Sequence, residues 1–223
     1  MKIEKLEIAT ADLRKQLHFY RDLLGLEIRD QDESSFEIVM GFSILKFRED
    51  ENFTPYHIAI HIPDKQEEKA LAWLKKRVSI LKNNRDEIVD FSAWDAKSVY
   101  FYDEDKNIME FIARGNLNKP ASEDFSEKSL LGIAEIGLAT ENIEGKFNFL
   151  HQQCEFEVFD GNFEKFCAIG DHQGLLITIN KNLKDWFPTG DKAFLSDFTI
   201  DFSHKGKNHR LEFINDCLKL VKK

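Results

Sequence analysis

The sequence has few cysteines and no long apolar run, and each absence excludes a class of protein. Its three cysteines, Cys154, Cys167 and Cys217, are widely spaced and form no CxxC pair. We therefore expect free, buried thiols in a reducing cytoplasm rather than a disulfide or a zinc site. No segment approaches the roughly 20 apolar residues of a membrane-spanning helix. The first residues also contain no apolar run of signal-peptide length, so we expect a cytoplasmic protein.

Positive charge is also scarce. The 223 residues include 31 Lys and Arg against 40 Asp and Glu, which gives a net charge of −9, and no basic stripe stands out. Nucleic acids and anionic membrane surfaces are therefore not expected as partners. Hydrophobic residues make up 42% of the chain, which is enough to form the core of one or two domains.

The main feature that the sequence does contain is an internal repeat. The four copies start at Lys5, His57, Glu135 and Asp197. In each copy apolar residues alternate with other residues, which predicts a half-buried strand. The first three copies end in residues that favour a helix N-cap, namely Asp12, Asp64 and Asn142. Each repeat is thus predicted to begin as a strand followed by a helix.

Shorter strands follow each predicted helix, so the repeating unit is βαβββ. One strand of the second repeat, between residues 79 and 97, is expected to be irregular. The fourth repeat is predicted to contain a strand and a closing helix over about 208–220, and to lack its last strands. The predicted fold class is α+β, with tandem βαβββ modules that form curved mixed sheets around a cleft. We expect modules 1 and 2 to pair within 1–116, a linker at 117–130, and module 3 with an incomplete module 4 within 131–223.

The stretch from Ser98 to Phe111, SVYFYDEDKNIMEF, predicts a hairpin with a polar turn over 103–107. Glu110 lies in its second strand among Ile, Met and Phe. A carboxylate in an apolar strand either points to solvent or points into a site that uses it.

One face of the strand that starts at His57 carries three isoleucines, which we expect to pack under a helix. The other face carries His57, Ala59 and His61, and Glu7 holds a corresponding place in the first repeat. A sheet curved around a polar cleft produces this pattern, and so does a sheet face that is simply exposed. The alternation alone leaves both interpretations open.

These motifs occur together with the sequence HFYRDLLGLEI after the first strand. In this combination the chain resembles the vicinal oxygen chelate superfamily: glyoxalases, bleomycin and fosfomycin resistance proteins, and extradiol dioxygenases. Its hairpin is similar to the family's DPDGNxxE element. Four positions match, namely Asp103, Asp105, Asn107 and Glu110. Glu104 stands where the family prefers Pro, and Lys106 where it prefers Gly.

The resemblance implies a metal site built from the first and last strands of paired repeats. In the second repeat these positions carry His57 and Glu110, which are suitable ligands for Fe, Mn, Ni or Zn. In the first repeat they carry Lys5 and Lys46, whose ammonium groups would pair with Glu110 and compete with a metal. A divalent metal and no cofactor at all therefore both stay open. Lys5, Lys46 and Glu110 are candidate catalytic groups. Further candidate pocket residues are Glu7, His61, Tyr100 and Tyr102.

Two functions follow from the resemblance. One is a metal-dependent lyase or dioxygenase that uses His57 and Glu110. The alternative is a metal-free module of the bleomycin-resistance type that binds or sequesters a small molecule. A third interpretation, a structural or interaction protein, also stays open at this point. The truncated fourth repeat is expected to leave a sheet edge uncovered, which favours a homodimer.

Overall fold

The computed structural model describes residues 1–119 and 124–221. Within them the strands are β1 (Lys2–Thr10), β2 (Ile28–Gln31), β3 (Ser35–Met40), β4 (Ser43–Glu49), β5 (His57–Ile62), β6 (Ile80–Leu81), β7 (Val89–Phe91), β8 (Ala96–Tyr102), β9 (Ile108–Arg114), β10 (Gly132–Thr140), β11 (Val158–Gly161), β12 (Phe166–Asp171), β13 (Gly174–Asn180), β14 (Phe198–His204), β15 (Lys207–Ile214) and β16 (Cys217–Val221). The helices are α1 (Leu13–Leu17), continued by a π-helix over His18–Leu23, α2 (Glu67–Leu74) and α3 (Ile143–Cys154).

The predicted caps account for two of the three helix starts. The Asp12 side chain accepts a hydrogen bond from the backbone N–H of Lys15, and Asn142 accepts one from Gly145. Helix α2 differs from this prediction, since its N-cap is Gln66 rather than Asp64. The irregular strand of the second repeat is divided into β6 and β7, and both pair with β8. No helix within the described residues is both long and apolar enough to cross a membrane.

The strands form one mixed sheet that divides into two half-sheets. In the first half-sheet β1 pairs with β4 in parallel and with β14 antiparallel. In the second half-sheet β10 pairs with β13 in parallel and with β5 antiparallel, and β5 continues to β9. The two half-sheets meet where β1 and β10 pair at Ile3 and Ile133.

This strand pairing differs from the one expected from the sequence. The second repeat pairs with the third through β5 and β10, and the first repeat pairs with the fourth through β1 and β14. The expected pairing of modules 1 and 2 assumed that neighbours in sequence are neighbours in the sheet. Instead, β1 of the first repeat pairs antiparallel with β14 of the fourth, almost the length of the chain away, and the consecutive repeats that pair are the second and third. The boundaries at 1–116, 117–130 and 131–223 stay a prediction.

The fourth repeat also differs from its prediction. The segment expected to form a closing helix over 208–220 forms β15 and β16 instead. Period-two burial of Leu211 and Phe213 fits a strand, because these side chains join the core while their neighbours in sequence are more exposed. Cys154 and Cys167 are buried free thiols as expected, whereas Cys217, at the start of β16, is exposed.

The hydrophobic core lies between the sheet and the helices. The three isoleucines of β5, Ile58, Ile60 and Ile62, belong to it together with Leu74 of α2. Side chains of a strand alternate between the two faces, so the other face of β5 carries His57, Ala59 and His61. His57 on that face lines the cleft between the second and third repeats.

Candidate functional site in the cleft between the second and third repeats

A cavity of about 490 Å³ lies between the second and third repeats. Its polar lining includes His57 of β5, Glu110 of β9 and Glu135 of β10. All three side chains are at least nine-tenths buried. An imidazole and two carboxylates thus lie on three neighbouring strands, where water screens their charges weakly.

His57 and Glu110 are hydrogen-bonded to each other. The His57 Nε2 atom lies 3.0 Å from Oε2 of Glu110, and the hydroxyl of Ser98 donates to Oε1 at 2.5 Å. When Glu110 is ionised it only accepts, so Nε2 carries the proton of the neutral imidazole. The other ring nitrogen, Nδ1, is buried and has no hydrogen-bond partner within the described chain. His57 is therefore oriented by one carboxylate and keeps one free lone pair.

Glu135 forms a buried ion pair with Arg114. Both residues are 2% exposed. Burial raises the pKa of Glu135 to about 7, although the Arg114 guanidinium favours the ionised carboxylate. Burial and the Arg114 guanidinium therefore act in opposite directions on the pKa of this second carboxyl group.

Aromatic side chains form the walls of the cleft. Trp186, from the loop that follows β13, lies over His57 with 5.3 Å between the ring centroids, and Phe187 contacts Tyr100 edge to face at 5.6 Å. On the other side, the indole N–H of Trp94 donates to Asp160 of the third repeat at 2.6 Å. The cleft therefore offers flat apolar surfaces next to a buried imidazole and carboxylate.

The turn between β8 and β9 positions both His57 and Glu110. Asp103 accepts from the backbone N–H of Asn107 at 3.0 Å and from its side-chain amide at 2.8 Å. The Asn107 side-chain oxygen in turn accepts from the backbone N–H of Tyr56, which directly precedes His57. Lys106, at the position where the superfamily prefers glycine, adopts a φ of 63°. One turn thus fixes the start of β5 against the start of β9.

The structure does not bring Lys5 and Lys46 to this cleft. Lys5 Nζ lies 2.5 Å from Glu37, and Lys46 Nζ lies 3.6 Å from Glu7. All four residues belong to the first half-sheet, since β1 pairs with β14 rather than with β5. The convergence of positions 5, 46, 57 and 110 that the sequence suggested is therefore not found. The catalytic role suggested for the two lysines stays a prediction.

The other predicted pocket residues are distributed over three places. Tyr100 lines the cleft, and burial raises the pKa of its hydroxyl well above the usual value. Tyr102 does not line the cleft; its hydroxyl donates to Asp191 of the loop after β13. His61 does not line this cleft but lines a separate cavity, with Nε2 3.1 Å from the carbonyl oxygen of Gln173. Glu7 belongs to the first half-sheet.

His57 and Glu110, the two ligands that the resemblance implied for a metal, lie together in the cleft. The 3.0 Å between His57 Nε2 and Glu110 Oε2 is a hydrogen-bond distance, so His57 would have to lose its Nε2 proton before that atom could bind a metal. Glu135 is the nearest further carboxylate on the neighbouring strand, but Arg114 holds it. Across residues 1–119 and 124–221, no group of three His, Cys, Asp or Glu side chains is arranged to hold a metal ion. The donors present therefore do not make a complete set.

Sequence reasoning missed three residues of the cleft. Glu135 occupies the position in the third repeat that His57 occupies in the second, so the repeat alignment contained a signal for it. Nothing in the sequence marked Arg114 as its partner. Trp186 lies in the loop after β13, and its place over His57 depends on the pairing of the second and third repeats.

Comparison with known proteins identifies the superfamily. No family model matches the chain. The curated relatives it matches include the metallothiol transferases FosB of Staphylococcus epidermidis and Staphylococcus haemolyticus, at 30% identity over 115 residues. The match covers 48% of this chain and 80% of each relative. The chain belongs to the vicinal oxygen chelate superfamily.

Solved structures show the superfamily fold over a larger part of the chain. A dioxygenase described as putative, from Bacillus subtilis strain 168, superposes with a TM-score of 0.59 at 15% identity and covers 80% of this chain. A mutant of glyoxalase I from Zea mays gives a TM-score of 0.50 at 15% identity and covers 79%. The chain spans 63% and 66% of the lengths of these two structures, respectively. At this identity the likeness concerns the vicinal oxygen chelate fold alone.

Proposed function

We propose that the cleft between the second and third repeats binds a small molecule that has a flat apolar body and a hydroxyl group. The observation that carries this proposal is the buried pair of His57 and Glu110, in which Nδ1 of His57 has no partner. The aromatic walls suit the apolar body, and Nδ1 suits the hydroxyl as a hydrogen-bond acceptor.

The same pair supports a proton transfer. Glu110 holds the Nε2 proton of His57, which leaves Nδ1 as the basic nitrogen. When Nδ1 takes the proton of a bound hydroxyl, His57 becomes a cation 3.0 Å from the Glu110 carboxylate, which stabilises it. His57 is thus proposed as a general base, and Glu110 and Ser98 as residues that orient it.

A metal-dependent lyase or dioxygenase is the second candidate. Two observations favour it: His57 and Glu110 lie together in the cleft, and the curated relatives are described as metallothiol transferases. A divalent ion bound there would polarise two neighbouring oxygen atoms of a ligand. The candidate needs a further donor besides His57 and Glu110.

Thermal-shift measurements with catechol test the first proposal. Catechol has a flat ring and two hydroxyl groups, whereas 1,2-dimethoxybenzene has the ring without a donor. We expect catechol to raise the melting temperature of the wild type and of His18→Gln, and to lose most of this effect in His57→Gln. His18 is a matched control because its side chain is 73% exposed on the first helix.

Equal shifts with the two compounds, or in His57→Gln and His18→Gln, would contradict the role of His57. Elemental analysis of protein purified without chelator separates the two candidates. Bound Fe, Mn, Ni or Zn, together with catechol binding that requires the metal, would replace the first candidate by the second.

A further inference from the structure

A second cavity, of about 400 Å³, lies where the two half-sheets meet. Its lining includes Lys2 of β1, Phe42 of the turn between β3 and β4, His61 at the end of β5, and Leu131 just before β10. We call it the junction cavity. His57 and Glu110 do not line it, so it is separate from the cleft described above.

Backbone contacts hold the residues that line the junction cavity in place. The N–H of Phe42 donates to the carbonyl oxygen of Leu131 at 3.0 Å. At Gly41 the chains approach so closely that an added Cβ would lie 2.2 Å from the Leu131 backbone. Lys119, which also lines the cavity, is fixed through its carbonyl oxygen, which accepts from the N–H of Asp64 at 3.0 Å. The position of the cavity walls is therefore fixed by backbone contacts of the fold.

The junction cavity is positively charged in a protein with a net charge of −9. Lys2 and Lys119 contribute two ammonium groups, and its described lining contains no Asp or Glu. The Lys2 Nζ atom lies 4.4 Å from the centre of the Phe42 ring, so the charge and the apolar surface are adjacent. Such a lining attracts a small anion that also has an apolar part.

His61 adds a requirement for a hydrogen-bond donor. It is 2% exposed, and its Nε2–H donates to the carbonyl oxygen of Gln173, which also lines the cavity. Burial lowers the pKa of His61 to about 4, so the ring is neutral at pH 7 and Nδ1 is an acceptor. Nδ1 has no partner among the described residues. A buried acceptor without a partner is uncommon and suits a ligand that donates to it.

We propose that the junction cavity binds a small hydroxy-carboxylate. Lys2 and Lys119 hold the carboxylate, His61 Nδ1 accepts from the neighbouring hydroxyl, and Phe42 with Leu131 contacts the apolar part. This site does not depend on the function proposed for the cleft, because it uses other residues.

Three aromatic probes separate the parts of this proposal. Mandelate has a phenyl ring, a carboxylate and an adjacent hydroxyl; phenylacetate lacks the hydroxyl, and benzyl alcohol lacks the carboxylate. We expect calorimetric titration of the full chain to show the tightest binding for mandelate, by about fivefold over phenylacetate, as one hydrogen bond implies. Amide NMR shifts should be confined to Phe42, Leu131, Gln173 and their neighbours.

Charge-removing variants give the control. Lys119→Gln should weaken mandelate binding by about three- to tenfold, while Lys76→Gln, at an exposed position after α2, should leave it unchanged. The proposal is overturned by no binding at concentrations on the order of 10 mM. It is overturned equally by the same affinity for mandelate and phenylacetate, by equal behaviour of the two lysine variants, or by shifts centred on His57.

Discussion

Ala59 separates the two buried carboxyl groups of the cleft. It lies opposite Glu110 on β9 and opposite Glu135 on β10, so its methyl group leaves room between them. Adjacent strands are about 4.8 Å apart, which puts the two glutamate backbones about 10 Å from each other. Each carboxyl group has its own partner, His57 for Glu110 and Arg114 for Glu135. Among the described residues, both buried glutamates of the cleft are thus paired, while Nδ1 of the neutral His57 has no hydrogen-bond partner.

Removal of the Glu110 carboxylate should destabilise the protein. In Glu110→Ala the buried His57 Nε2–H and the Ser98 hydroxyl both lose their acceptor, which costs about 1–3 kcal/mol of unfolding free energy for each unsatisfied group. Urea denaturation measures the change. The matched variant Glu164→Ala, with a side chain 71% exposed, should stay within about 0.5 kcal/mol of wild type. A similar midpoint for both variants would show that the pair contributes little.

The sequence predicts part of this site because some of its geometry is local to one repeat. His57 and Glu110 belong to the same repeat, and the hairpin motif together with the strand period indicates that both face one side. The nearness of Glu135 depends instead on which repeat supplies the neighbouring strand. That choice is made by side-chain packing between distant segments, which alternation within a strand does not encode. The same reason explains why Lys5 and Lys46 were expected in the wrong half-sheet.

At the scale of elements, the turn between β8 and β9 couples two strands of the site through Asp103. Asp103 is buried and accepts from Tyr20 as well as from Asn107. Its hairpin was predictable from the residues of 98–111 alone. The strands β15 and β16 were not, since the polar residues between Lys207 and Val221 also allow a helix. This segment forms strands rather than a helix because the edge of β14 is available for antiparallel pairing with β15.

The pH dependence of stability should change when Asp103 is replaced by Asn. Burial raises the pKa of Asp103 to about 6, above its value of 3.8 in the unfolded chain. The folded state therefore holds this proton more tightly, so the contribution is complete below about pH 4 and is lost as the pH rises through 6. Wild type should lose about 1–3 kcal/mol more unfolding free energy than Asp103→Asn between pH 4 and 7. Parallel stability curves from denaturant titrations would contradict this.

The loop that carries Trp186 needs a glycine beneath it. A Cβ added at Gly137 of β10 would lie 2.6 Å from the Trp186 ring and 3.1 Å from Cβ of His57. Gly137→Ala should therefore displace Trp186 from His57 and lower the unfolding free energy by about 1–3 kcal/mol. A red shift of tryptophan fluorescence reports the displacement. In a Trp186→Leu background the same substitution should cost much less, and an equal cost in both backgrounds would exclude the clash as its cause.

At the scale of the whole molecule, one edge of the sheet is open at β16. This strand pairs with β15 and ends the first half-sheet. Its half-buried Leu218 and Leu220 pack at the margin of the core. Exposed strand edges readily pair with another strand, so the predicted homodimer would use this edge.

Light scattering coupled to size-exclusion chromatography checks the homodimer. We expect a mass near twice the 26.0 kDa of the chain at micromolar concentration. Labelling of the exposed thiol of Cys217, which begins β16, should then be slower in concentrated than in dilute protein. A single-chain mass at all concentrations would contradict the dimer.

The interleaved pairing of the repeats has a consequence for the covalent chain. Each half-sheet takes strands from both sides of the connection between the second and third repeats. A polypeptide cut at that connection yields two fragments that each expose the edges of two unfinished sheets. Neither fragment should be soluble when expressed alone, whereas co-expression should restore a stable complex held together by β1 with β14 and by β5 with β10.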